Sequence, residues 1–357
     1  MKKTLLAVAL TAASMTAIAD VKLSGHTSYS AGDFSDLDGS EGISVDAYGA
    51  SDSRFRLVFD HEANGITYGG KLEFAFGDVE TANLTKRVSE VTAAGNFGKI
   101  SLGQGSTSLD GVSEASFNRG AGAENLDAYN FNKTTAGTGV YGLANFGFGG
   151  QQDGGRQERI RYDSPSFSGF TFSASYDDNN VTEEFADTIE GGDNASYHIR
   201  YANDMIIAQL GATNADADNS DKTSASIAGK MGNFNAHIQY FEQEAGVTAA
   251  TSSTAASLNT EKNKSQKRFA VGYDMNDFAF TVDYTLDEQD DASNASVVDA
   301  SSIGLSATYF PTKGVSLFAG VRKFSDDSDA TAATNTAGTT NVSDSATGFV
   351  LGAKVTF

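Results

Sequence analysis

The chain has 357 residues, with 25 Lys and Arg against 46 Asp and Glu, a formal net charge of −21, and it contains no Cys and no Trp. That acidic balance excludes nucleic acid as a partner, because phosphate binding needs the opposite sign. With no Cys, disulfides are excluded as the staples of the fold.

Residues 1–19, MKKTLLAVALTAASMTAIA, carry Lys2 and Lys3, an apolar run over residues 5–13, and small residues at Ala17 and Ala19. This is the pattern of a secretory signal cleaved between Ala19 and Asp20. Loss of Lys2 and Lys3 leaves 23 basic against 46 acidic residues, a net charge of −23 on residues 20–357. No later apolar run approaches the ~20 residues of a spanning helix. The 38 Gly and 2 Pro, set among short alternating segments, point to a β protein. Its length leaves either two soluble domains or one large closed barrel.

Alternation begins in SRFRLVFDHEANG, where Arg54 and Arg56 fall on one face and Phe55, Leu57 and Phe59 on the other. It weakens in TKRVSE around Arg87. After a segment of about fifty residues from 106 to 155, too long for a hairpin tip, RIRYDSPSFSGFTFSASY sets Arg159 and Arg161 against Ile160 and Tyr162. The same two-residue period puts Phe170, Phe172 and Tyr176 opposite Ser173, Ser175 and Asp177, and Phe234, Ile238 and Tyr240 opposite Asn235, His237 and Gln239. Phe278, Phe280, Val282 and Tyr284 likewise stand against Thr281, Asp283 and Thr285, and the last row, Phe349, Leu351, Ala353, Val355, ends on Phe357.

A soluble sandwich would also alternate, but strand number and spacing favour a barrel. Sixteen strands of about 8 to 13 residues are predicted, near the length a tilted strand needs to cross hydrocarbon. Short connections at Asn64-Gly65, Asn203-Asp204, Gly232-Asn233 and Asn276-Asp277, and at GNFG, PSFSG and PTKG, carry tight-turn residues. Between them lie longer polar segments, among them residues 178–192, 245–264 and 325–344. Short turns on one rim and long loops on the other, with both ends on the short-turn side, describe an all-β, 16-stranded antiparallel transmembrane β-barrel of the outer membrane. Residues 20–357 form one barrel domain after the signal. Sixteen strands enclose an aqueous channel, since side chains no longer fill a lumen of that width. Phe357 then faces the interfacial girdle, where an aromatic ring is stabilised.

SRFRLVFDHEANG, FGKISLGQG and above all RIRYDSPSFSGFTFSASY resemble segments of Gram-negative general porins. The resemblance covers essentially the whole chain after the signal. It implies a homotrimer of barrels, each with its third extracellular loop folded inward, facing the lipid bilayer and its lipopolysaccharide. It also implies that Phe357 is part of a signal read by the barrel-assembly machinery. In the family, acids on the inward loop oppose a basic wall. By alternation or position the wall here is Arg54, Arg56, Arg87, Arg159 and Arg161, and the acidic loop supplies Asp110 and Glu114, with Glu124 and Asp127 after them. The chain departs from the family at Ser101, where a basic residue is frequent, and places His26 where the family often has a basic pore residue.

His26, His61, His198 and His237 are scattered, with no paired metal-binding spacing, and no cofactor is expected. The expected function is passive diffusion of small hydrophilic solutes and ions, with preference for cations because of the acidic charge. A sugar-selective porin is the alternative, poorly supplied with aromatic track residues in the absence of Trp. An outer-membrane barrel enzyme lacks a lipid-facing Ser and His pair. A surface adhesin would not exclude the channel.

Overall fold

The computed structural model describes residues 20–33, 43–46, 53–76, 84–119, 155–178, 193–215, 221–244, 264–290, 296–326 and 345–357. The strands are β1 (Asp20–Asp33), β2 (Ile43–Asp46), β3 (Arg54–Ala63), β4 (Ile66–Phe76), β5 (Leu84–Gly95), β6 (Gly98–Ser106), β7 (Arg156–Asp163), β8 (Phe170–Asp178) and β9 (Asp193–Ala202). They continue as β10 (Ile206–Ala215), β11 (Lys222–Met231), β12 (Phe234–Gln243), β13 (Lys264–Met275), β14 (Phe278–Asp290), β15 (Ser296–Thr312), β16 (Val315–Asp326) and β17 (Ser345–Thr356). A single 3-10 turn, Val112–Glu114, interrupts the β structure of the described residues.

Every successive pair of staves is antiparallel, and β17 returns to β1, so the sheet closes as a 16-stranded barrel. The seventeenth strand is the short β2, which the sequence does not announce. It pairs with residues 30–33 of β1, beyond the point where β3 stops at the His26 and Arg54 pair. At the seam Phe357 and Gly25 exchange backbone hydrogen bonds in both directions, at 2.9 and 3.0 Å. No sheet edge of the seam is left unpaired there, which removes the usual site of strand-to-strand aggregation.

The solvent on each side decides which residues alternate. The outer face is apolar and exposed, including Phe172, Tyr176, Ile199, Ile238, Val271, Val282, Leu305 and Leu351. The inner face is polar and largely buried, including Ser175, Asp177, Gln239, Arg268, Thr281, Asp283 and Arg322. This inversion of the soluble pattern is what lipid outside and water inside require. On the short-turn rim, outward aromatics meet across strands. Phe170 with Tyr201, Phe234 with Tyr273, and Phe278 with Tyr309 each have ring centroids 4.8 Å apart. Offset aromatic pairs of this kind add to area burial and suit an interfacial girdle.

The hairpin turns on that rim set the strand registers. Asn64 and Gly65 both have positive φ, 54° and 75°, as a two-residue hairpin turn demands. The ladder runs regularly from there, so that Arg56 faces Glu73 and Phe55 faces Phe74.

Candidate functional site

The third long connection leaves β6 and turns into the lumen. Its described limb, residues 106–119, crosses the inner wall from β8 to β14. Two arginines of β7 hold the root. Arg159 donates from Nε to the Ser106 carbonyl at 2.9 Å and from Nη1 to the Gly103 carbonyl at 3.0 Å, while its Nη2 lies 2.6 Å from Glu90 Oε2. Arg161 donates from Nη1 to the Thr107 carbonyl at 2.7 Å, and its Nε and Nη2 meet Asp163 Oδ1 at 3.0 and 2.8 Å. Each guanidinium therefore joins an acid to the carbonyls of a loop root, a task suited to its planar fork of donors.

Beyond the root, Ser108 N donates to Ser175 Oγ at 2.8 Å. Leu109 and Val112 are fully buried against Gly211 of β10. A Cβ at Gly211 would lie 2.7 Å from Leu109 Cδ1 and 3.2 Å from Val112 Cγ2, so the bare backbone there is what lets the limb lie flat. The Val112 carbonyl accepts from Ser226 Oγ and from Gln209 Nε2, and Ala115 N donates to Ser226 Oγ at 3.2 Å. Leu109, Val112 and Ala115 are buried, a spacing that shares one face of a helical turn. Half-buried Asp110 and exposed Glu114 belong to the other, wetter face of the limb. Glu124 and Asp127 lie outside the described residues.

At residues 117–119 the limb meets the far wall. Lys230 Nζ sits 4.7 Å above the Phe117 ring, and Asn118 Nδ2 donates to Thr281 Oγ1. Arg119 reaches the β13–β14 turn, where Nη2 donates to the carbonyls of Asn276 and Phe278 at 2.7 and 3.1 Å and Nε meets Asp274 Oδ1 at 3.2 Å.

On the wall built by β3, β4 and β5, three cations surround one carboxylate. Arg56 Nε and Nη2 lie 2.7 and 2.5 Å from Glu73 Oε2, Arg87 Nε lies 3.2 Å from Oε1, and Lys71 Nζ lies 3.8 Å from Oε2. Arg87 reaches inward through a register shift between β4 and β5. Glu73 pairs with Val88 and Phe74 with Lys86, so Arg87 is the extra residue of a bulge. A bulge re-aims side chains out of strict alternation, which is why the period fades in TKRVSE. Arg54 is in register with His26 and half-buried.

The two walls differ in wetness. The Arg56 side chain keeps 45% of its exposure. Across the barrel, Arg322 and Arg268 clamp Asp283, with Arg322 Nη2 2.6 Å from Oδ2 and Arg268 Nη2 3.4 Å from Oδ1, and the Arg322 side chain is 1% exposed. Arg322 Nη1 also donates to Ser302 Oγ at 2.8 Å, and His237, Gln239 and Gln266 are buried nearby on the same inner face. Of the cluster on the β3 to β5 wall, Arg56 is thus the group most open to water, with Arg87 and Glu73 beside it keeping 12% and 5%, while β12 to β16 present a packed polar wall.

Sequence reasoning missed Glu73, Lys71, Glu90, Arg119 and the Asp283 clamp. Glu73 had a signal, because a two-residue turn at Asn64-Gly65 places residue 73 opposite residue 56. Arg119 had none, since its partners lie about 160 positions away. Among the described residues no group of three or more His, Asp or Glu is arranged to hold a metal ion.

A family model described as Gram-negative porin matches residues 5–330. Among solved structures, an anion-selective porin from Comamonas acidovorans is 20% identical, with a TM-score of 0.66 over 95% of this chain and 100% of its own. The outer membrane channel DcaP of Acinetobacter baumannii is 16% identical, with a TM-score of 0.63 over 96% of this chain and 98% of its own. OmpT, an outer membrane protein of Vibrio cholerae solved in a trimer form, is 16% identical, with a TM-score of 0.61 over 96% of this chain and 100% of its own. At these identities the structural likeness carries the fold alone. No curated protein sequence matches the chain. The family match spans nearly all of a closed 16-stranded barrel with a limb folded into its lumen, and the chain belongs to the Gram-negative porins, the channels of the outer membrane.

Proposed function

We propose that the protein is exported with residues 1–19 as a signal removed before Asp20, assembles as a homotrimer, and passes small hydrophilic solutes and ions by passive diffusion with preference for cations. The observation that carries this reading is the limb of residues 106–119 lying against β8 to β14, together with the charged inner wall of β3 to β5, where Arg56 keeps 45% of its exposure. Asp110 and Glu114 on the limb and Arg54, Arg56 and Arg87 on the wall form the acidic and basic sides of the constriction. Opposed charges in a narrow passage create a transverse field that orients dipolar solutes and disfavours apolar ones. The channel is not an enzyme, and no catalytic residue is assigned.

Cation preference follows from charge. After loss of the signal the chain carries −23, and its potential acts at the mouths within a Debye length of ~8 Å at physiological salt. The arginines oppose it less than their number suggests. Arg159 is matched by Glu90, Arg161 by Asp163, Arg119 by Asp274, and the Arg268 and Arg322 pair shares Asp283. One observation favours the opposite reading, the excess of cations around Glu73. The test is the reversal potential of purified protein in planar bilayers under a salt gradient. Cation preference is expected, and Asp110→Asn with Glu114→Gln shifts selectivity toward anions. A clear anion preference overturns the ranking, and an unmoved selectivity removes those two acids from the constriction. Saturable block by an oligosaccharide would instead identify a sugar-selective porin.

A further inference from the structure

We propose that Arg119 is the positioning residue of the channel, a latch that holds the foot of the inward limb against the β13–β15 wall and so keeps the limb clear of the aqueous path beside Arg56. The inference rests on the channel reading.

One guanidinium there gathers four partners from three places. Nη2 donates to the backbone carbonyls of Asn276 and Phe278 on the β13–β14 turn, Nε meets the Asp274 carboxylate at 3.2 Å, and the planar group stands 5.3 Å from the centroid of the Phe310 ring on β15. A Lys could satisfy one of these contacts but not the set, because only Arg combines a fork of donors with a stacking face. The neighbours seat the same foot on other strands, Phe117 beneath Lys230 and Asn118 on Thr281.

The root and residues 117–119 are held differently. At the root, the Arg159 side chain is 3% exposed, ion-paired to Glu90 and built into a strand. At the foot, the Arg119 side chain is 46% exposed and Asp274 is partly exposed. Water and salt screen the lower pair, so it is the weaker and more reversible attachment. Between them the limb is seated by buried Leu109, Val112 and Ala115 and by hydrogen bonds to Ser175, Gln209 and Ser226. With residues 108–115 seated on β8 to β11, opening of the latch frees the stretch after Ala115 first, and the space that stretch enters is the lumen.

Single-channel recordings in planar bilayers test this on the full-length protein as assembled. Arg119→Ala is expected to raise open-channel current noise, introduce brief partial closures and lower the mean conductance, with Arg119→Lys falling between alanine and wild type. Asp274→Asn, which leaves the two carbonyl contacts intact, should move noise the same way by less, and more so in high salt. Because the chain lacks Cys, the variant Asn118→Cys with Thr281→Cys introduces a lone cysteine pair at a neighbouring contact. In the Arg119→Ala background its oxidation should return noise and conductance to wild-type values, and reduction should undo that. Heat-modifiable migration in gels reports the folding of each variant. Wild-type noise and conductance in folded Arg119→Ala overturn the latch, as does an altered conductance that persists after the disulfide has closed, since that would assign the effect to lost charge rather than to position. If Arg119→Ala does not fold, wild-type noise in Asp274→Asn at every salt concentration overturns it equally. Absence of any conductance in the wild-type protein would overturn the channel reading instead.

Discussion

Arg159 shows how little a residue's direction says about its work. Its inward aim follows from Ile160 and Tyr162 facing lipid, and that much is visible in the alternation. Its partners are not, because Glu90, Gly103 and Ser106 lie 53 to 69 positions away. Removing one member of a buried, hydrogen-bonded ion pair leaves the other charged and uncompensated, at a cost of about 3–5 kcal/mol. Arg159→Ala should therefore lower the free energy of denaturant unfolding in lipid vesicles by that order, seen as a lower midpoint, and loosen the loop root. A midpoint equal to wild type would show that Glu90 finds water or another cation. Arg87 carries the complementary lesson. Its inward aim comes from a bulge rather than from the two-residue period, so alternation could only weaken there without saying which way the side chain turned.

At the scale of the element, the limb behaves as a strip with one apolar and one polar edge. Leu109 and Val112 seat it on the wall and depend on Gly211 having no side chain. Gly211→Val forces branched carbons into that contact, and overpacking of this kind costs about 1–3 kcal/mol. The expected outcome is a limb pushed toward the lumen, read as a lower single-channel conductance with the barrel still heat-modifiable, and partial recovery when Leu109→Ala is added. Unchanged conductance in Gly211→Val would mean that the limb does not set the cross-section. Strands were the legible elements, since turn residues and alternation mark each one locally. The exception, β2, is a four-residue strand whose pairing with β1 has no periodic signature of its own.

For the molecule as a whole, stability comes from closure. A barrel without free edges exchanges no strand with its neighbours and unfolds slowly, so it should run as SDS-resistant, heat-modifiable oligomers until boiled. Migration as an unfolded monomer without boiling would contradict the trimer and the slow unfolding together. Phe357 closes the seam, with reciprocal backbone bonds to Gly25, and is an exposed residue of the outer face. Phe357→Ser keeps the backbone bonds and removes the girdle aromatic. A reduced yield of heat-modifiable protein in the outer membrane is expected, and a wild-type yield would deny Phe357 a part in assembly.

The amino-acid sequence alone determined the sixteen staves, their faces, the rim to which each connection belongs and the inward aim of Arg56, Arg159 and Arg161. Lipid on one side and water on the other impose a period of two on the staves, broken at the β5 bulge, and tight turns transmit register along the hairpins. Only the tertiary structure decided where the limb lies and what each cation meets. Ser108 finds Ser175, Ala115 finds Ser226 and Asn118 finds Thr281 across separations of 67, 111 and 163 residues. Such contacts exist because the closed barrel brings distant strands around one lumen, and neither local propensity nor hairpin register records which inner side chain will stand opposite a loop that crosses it.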